Sequence, residues 1–212
     1  MAISMRRNLP ERRATSTTDR AFDRLLPEAL RRLSYMHWTP IEVAIRATTL
    51  LCPSSGMRIL DVGSGVGKLC MVGAMSSEGL WYGVEQHETL VHTACELAGA
   101  LGVADRTRFL HGDALAVDWR EFGAIYLYNP FEVPLFDVDH GQHLLDFRLK
   151  VAGVQDRLAA LPERARVVTL QGFGGVMPRS YELLYHERIA AAGLDLALWV
   201  QGAAARTITE PS

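Results

Sequence analysis

Apolar residues change their spacing along this 212-residue chain, and the changes divide it into elements. From Asp19 to Leu33 the positions Phe22, Leu25, Leu26, Ala29, Leu30 and Leu33 follow one face of a helix, with Asp19 as its cap. Tyr35 to Pro40 interrupts that spacing, and a second helix is expected from Ile41 to about Leu51, ended by Cys52-Pro53-Ser54-Ser55-Gly56. The rhythm then shortens. Strands are expected at Met57–Val62, Leu80–Val84, Thr107–Leu110 and Ala124–Tyr128, with helices at Gly67–Ser77 and Thr89–Leu101 between them. A helix from about His140 to Leu161 and a strand at Arg166–Gln171 continue the alternation, and Tyr181–His186 and Leu194–Gln201 follow as a hairpin-type finish. Strand alternating with helix is the signature of a parallel sheet covered on both faces. The expected architecture is therefore α/β: a doubly wound seven-stranded sheet, mostly parallel with an antiparallel last strand, preceded by N-terminal helices.

Three units follow from the pattern: a flexible basic arm over 1–18, a helical cap over 19–55, and a ligand-binding domain over 56–212. With 49% apolar and 22% charged residues, the chain has the balance of a soluble globular protein. The net charge of −2 gives no global argument for nucleic acid or membrane. It is uneven, however: residues 1–33 hold eight arginines against four carboxylates, so an RNA or acidic partner would meet the chain there. Cys52, Cys70 and Cys95 lack paired spacing and read as thiols in a reducing compartment, and no run reaches membrane-span length. Cytoplasm is the expected location.

The chemistry concentrates where the first strand enters its helix, at Asp61-Val62-Gly63-Ser64-Gly65-Val66-Gly67-Lys68. Glycines there let the backbone turn sharply and a ligand approach closely, beside free helix N–H groups. A dinucleotide loop of the form G-x-G-x-x-G would need its third glycine where Lys68 stands, and Asp61 would repel a pyrophosphate. Asp61 instead suits a ligand with a positive amino group. Glu85 ends the second strand, where a carboxylate accepts both hydroxyls of a ribose, and Gln86 follows it. Asp113 and Ala114, after the third strand, suit an adenine amino group, and Asn129, after the fourth, would lie by the ligand's reacting end.

Together these residues resemble the successive motifs of the class I S-adenosylmethionine-dependent methyltransferases, over roughly residues 36–135. The resemblance implies a Rossmann-like fold, S-adenosyl-L-methionine as cofactor and S-adenosyl-L-homocysteine as product. It implies that Asp61, Gly63 and Gly65 flank the methionine part and that Glu85 meets the ribose, with Ser64, Gly67 and Gln86 also among the cofactor-binding residues. Asp113 and Ala114 would hold the adenine, Asn129 would lie near the transferring methyl, and Thr39-Pro40 resembles the segment that closes over the methionine end. Within the class the cofactor motifs look most like the non-SET histone lysine methyltransferases of the telomeric-silencing type. Tyr128 stands where that family has the first of two asparagines, so the likeness is one of cofactor site and not of substrate. Asn129-Pro130-Phe131 half resembles the Asn-Pro-Pro-aromatic motif of nitrogen methylases.

The expected reaction is methyl transfer to a small-molecule or protein nucleophile, with Asn129 and Glu132 as the candidate catalytic residues. The alternatives are a non-catalytic cofactor-fold module and an RNA methyltransferase that docks through the basic arm. No metal is expected: Asp137 to His143 carries competent ligands, but the Asp-Asn pair that magnesium-using catechol-type enzymes need is replaced by Gln171-Gly172. Gly172-Phe173-Gly174-Gly175 reads as a substrate-gating loop, with a plain connection as the alternative, and Trp38 as an anchor for the first helices, with a part in a lid beside Thr39 as the alternative.

Overall fold

The computed structural model describes residues 19–128, 140–189 and 193–202, without the side chains of 33–37 and 140–144. The strands are β1 (Arg58–Val62), β2 (Leu80–Glu85), β3 (Thr107–His111), β4 (Ala124–Tyr128), β5 (Arg166–Leu170), β6 (Tyr181–Ile189) and β7 (Leu194–Gln201). They form one sheet in the order β3-β2-β1-β4-β5-β7-β6. The pairs β1/β2, β1/β4, β2/β3 and β4/β5 are parallel, while β7 runs antiparallel to both β5 and β6. The antiparallel strand predicted from the missing crossover helix is thus β7. Strand order reverses between β1 and β4, and in an open parallel sheet the crevice at the carboxyl ends of such strands is where ligands bind.

The N-terminal helices depart from expectation in one place. The single helix read over Asp19–Leu33 is two, α1 (Asp19–Asp23) and α2 (Glu28–His37). Pro27 separates them: its ring cannot continue a helix, and its carbonyl accepts the N–H groups of Leu30 and Arg31 to start the next. Leu25 consequently leaves the apolar face and is exposed. The helices α3 (Ile41–Leu51), α4 (Lys68–Ser76), α5 (Glu88–Ala100) and α6 (His140–Ala159) fall where the spacing placed them, within a residue or two. Two short 3₁₀ turns, 114–116 and 119–121, were not anticipated; Asp113 and Asp118 cap them by accepting from Leu115 N and Arg120 N.

Two apolar clusters sandwich the sheet. On one face, Ile59, Tyr126, Val168 and Leu196 pack with α1–α5, including Phe22, Trp38, Val43, Ala47, Met71 and Leu90. On the other, Leu60, Val62, Ile125, Leu127 and Val167 pack with α6 and the 3₁₀ turns. The alternation follows from the two-residue period of a strand. It also places Asp61 and Tyr126, which are register partners on β1 and β4, on the same face beneath the N-terminal helices.

Candidate functional site

Between β1 and α4 the chain needs a left-handed backbone at three positions, and the sequence supplies glycine at each: Gly63 (φ +74°), Gly65 (φ +56°) and Gly67 (φ +74°). Each glycine has its own surroundings. Gly63 is exposed. A Cβ on Gly65 would sit 2.8 Å from Trp38 Nε1, and one on Gly67 would collide with the Phe109 ring. Gly67 thus does the close-packing work that the third glycine does in a dinucleotide loop, one residue earlier in the chain. Gly83 of β2 likewise leaves room for Ser64, whose buried hydroxyl lies against it, turned toward β2, and has no hydrogen-bond partner among the described residues.

Glu85 is buried at the end of β2, with Oε2 accepting from Gly65 N at 3.0 Å and Oε1 from His87 N at 3.0 Å. Those two bonds fix the carboxylate against the glycine loop and leave each oxygen a further lone pair. Asp61 lies deeper. Burial pushes its carboxyl up to about 7, the bond from the Cys70 thiol (3.8 Å to Oδ2) acts downward, and the nearby Glu85 charge adds to the rise. A positive ligand group beside it would favour the ionised form. α4 follows Gly67, which brings no side-chain cap, and among the described residues no side chain accepts from its first N–H groups.

The segment before α3 closes over this loop. Trp38 is buried against Gly65, in agreement with the anchoring role read from sequence, and Thr39 Oγ1 shares a buried 2.8 Å hydrogen bond with Tyr126 Oη. Asp19, expected to cap its own helix, instead accepts from Ile41 N at 3.1 Å and so caps α3. The same carboxylate pairs with Lys68, whose side chain is only 3% exposed and whose ammonium lies 5.4 Å from the centre of the Phe22 ring. Residues at 19, 22, 38, 39, 68 and 126 therefore build one clasp across the glycine loop. Sequence spacing cannot show these partners, because they are separated by up to 87 residues.

Other predicted residues are placed less centrally. Asp113 is exposed, and its Oδ1 accepts from Leu115 N at 2.9 Å; Ala114 is buried against the opposite cluster, and Gln86 is exposed. Asn129, Glu132 and Asp137–Asp139 lie outside the described residues, as do the side chains of His140–His143. Among the described residues no group of three or more His, Cys, Asp or Glu could hold a metal, and no helix is long and apolar enough to cross a membrane. The loop after β5 differs from a free gate. Phe173 is buried, and Gly174 and Gly175 pack closely on Phe147 and Val151 of α6. Gln171, itself left-handed (φ +58°), exchanges two hydrogen bonds with the Asp195 backbone, one through its side chain, which ties β5 to β7.

No protein-family model matches the chain, and no curated protein matches it. Solved structures do share its fold. An RNA methyltransferase from Salinibacter ruber, in complex with S-adenosyl-L-homocysteine, superposes with a TM-score of 0.60 at 21% identity, covering 82% of this chain and 99% of that one. A mutant of MtNAS in complex with S-adenosylmethionine gives 0.58 at 12% identity over 87% and 72%. The [4+2]-cyclase SpnF gives 0.54 at 13% identity over 79% and 84%. The fold is that of the class I S-adenosylmethionine-dependent methyltransferases. The likenesses do not single out the telomeric-silencing type within it, and a cyclase among them illustrates that fold alone does not fix a reaction.

Proposed function

We propose that the protein binds S-adenosyl-L-methionine at the β1–α4 loop and transfers its methyl group to a small-molecule or protein nucleophile. The observation that carries this reading is Glu85, a buried carboxylate pinned by two backbone amides at the end of β2 with acceptor capacity left over for a pair of vicinal hydroxyls. The rest of the donor set fits the same ligand. Three left-handed glycines shape the turn, the exposed Gly63 lets a ligand approach the backbone closely, and Asp61 is poised to ionise beside an ammonium.

The bound cofactor would supply an activated methyl on a sulfonium, with a good leaving group already in place. The protein's own part is alignment, worth up to roughly 7–11 kcal/mol when reacting atoms are held in line. Glu85 and Gln86 would hold the ribose, Asp113 and Ala114 the adenine, and Asp61, Ser64 and the glycines the methionine part under Thr39. Asn129, one residue beyond β4, would orient the acceptor, and Glu132 would take its proton where the acceptor carries one into the reaction.

Thermal melts with S-adenosyl-L-methionine and S-adenosyl-L-homocysteine test the reading. At a ligand concentration 100-fold above Kd, a site of this kind adds about 2.7 kcal/mol, or roughly 5–10 °C for a chain of this size. Absence of a shift with either ligand overturns it and favours the non-catalytic module.

A second acceptor class has support of its own. Arg20, Arg24, Arg31 and Arg32 are exposed on or beside α1 and α2, the helices clasped to the glycine loop, so a polyanion docked there would lie beside the site. On that reading RNA is the methyl acceptor. Replacing these arginines with alanine should weaken RNA binding and flatten its salt dependence; unchanged binding removes RNA from consideration.

A further inference from the structure

Tyr126 was not marked by its sequence context, yet its side chain makes a polar link from β4 to the segment before α3. Its phenol is wholly buried and its proton is held far more tightly than usual, because burial disfavours the phenolate; the Thr39 hydroxyl acts the other way and the Asp61 charge adds to the rise. Its hydrogen-bond partner is Thr39 Oγ1, 2.8 Å away. Thr39 follows Trp38, whose indole covers Gly65, and precedes Pro40, the N-cap residue of α3. On the sheet, Tyr126 is the register partner of Asp61 and shares its face.

We infer that Tyr126 is a positioning residue of the cofactor site, acting through Thr39 to hold Trp38 down on the glycine loop and so to retain the bound cofactor. The inference rests on the reading of the loop as a cofactor site. It separates two jobs that the N-terminal segment performs. α3 itself is kept in place by fully buried Val43, Ala44, Ala47 and Leu51, which make no use of the phenol. The three residues 38–40 before it have no comparable run of apolar anchors: beyond the Trp38 ring, they are tied to the sheet by the Thr39–Tyr126 bond. Deleting either hydroxyl therefore loosens the cover of the loop while the helices stay packed.

The experiment is isothermal titration and stopped-flow dissociation of S-adenosyl-L-homocysteine from the full chain, in Tyr126→Phe, Thr39→Val, Thr39→Ser and the Tyr126→Phe/Thr39→Val double variant. Tyr126→Phe and Thr39→Val should each weaken binding by about 3- to 10-fold, the range of one lost hydrogen bond, through faster dissociation. The double variant should be no weaker than the singles, and Thr39→Ser, which keeps the hydroxyl, should bind as the wild type does. Tyr181→Phe serves as control, because its buried phenol bonds Leu158 O in the opposite cluster; it should lower thermal stability without moving the dissociation rate. Wild-type affinity and dissociation in both single variants, or additive losses in the double, overturn the inference alone. Failure of the wild type to bind overturns the cofactor reading and this inference with it.

Discussion

At the scale of single residues, the site is a problem of placing carboxylates in apolar surroundings. Asp61 and Glu85 both lie at the carboxyl ends of strands in the same sheet, yet they are treated differently. Glu85 accepts two backbone amides, whereas Asp61 has a thiol at 3.8 Å and is held near 7. An acid raised in the folded state keeps a proton that the unfolded chain has lost, so between about pH 4 and pH 7 this group makes the free protein less stable as pH rises. A cationic ligand reverses the preference. Ligand affinity should therefore increase as pH rises toward about 7 and level off above it, and Asp61→Asn should remove this group's part of the stability slope and the affinity slope with it. Melting curves and titrations at about pH 5.5, 7 and 8.5 check this, and an undiminished affinity slope in the variant would contradict the assignment of Asp61. The carboxylates themselves were readable in the sequence because each directly follows or ends an apolar run. Tyr126, Cys70 and Lys68 were not, since an apolar strand or helix reads the same whether or not one of its members turns toward a charge.

At the scale of elements, the β1–α4 turn shows why the glycine spacing was legible and its detail was not. A left-handed backbone favours glycine wherever it occurs, so Gly63, Gly65 and Gly67 mark the loop without any knowledge of its neighbours. Which neighbour each glycine admits is a tertiary fact. Gly102 is also left-handed but has open space around it, whereas a Cβ on Gly67 meets Phe109. Gly102→Ala should thus cost only backbone strain, about 1–2 kcal/mol. Gly67→Ala should cost that plus overpacking, about 2–5 kcal/mol in total, and Phe109→Ala in the same chain should recover part of the difference. Equal melting temperatures for the two glycine variants would show that Phe109 yields freely. The break at Pro27 teaches the complementary lesson. Helical spacing persisted across it, through Leu25 and Leu26, but a missing N–H and a ring clash outweigh a favourable stripe.

At the scale of the whole molecule, the N-terminal helices share the core of the sheet face they cover, and one ion pair ties α1 to α4. Lys68 is almost completely buried while Asp19 is 45% exposed, so the two ends of the pair are not equivalent. Removing Asp19 strands an ammonium in an apolar site and also uncaps Ile41 N; removing Lys68 leaves a carboxylate that water can reach. Asp19→Ala should therefore destabilise by about 2–4 kcal/mol, and Lys68→Met by less, because a methionine of similar length fills the space beside Phe22. The same arrangement makes a claim about the bound state. The glycine loop packs against Trp38, so a ligand that orders the loop should also order the segment over it. Hydrogen exchange of the full chain should show S-adenosyl-L-homocysteine slowing amides of 63–67 and of 38–44 together, with β6 and β7, at the far edge of the sheet, unchanged. In Asp19→Ala the first region should remain protected and the second should not. Protection confined to 63–67 in the wild type would mean that the helices cover the sheet without sensing what lies beneath them.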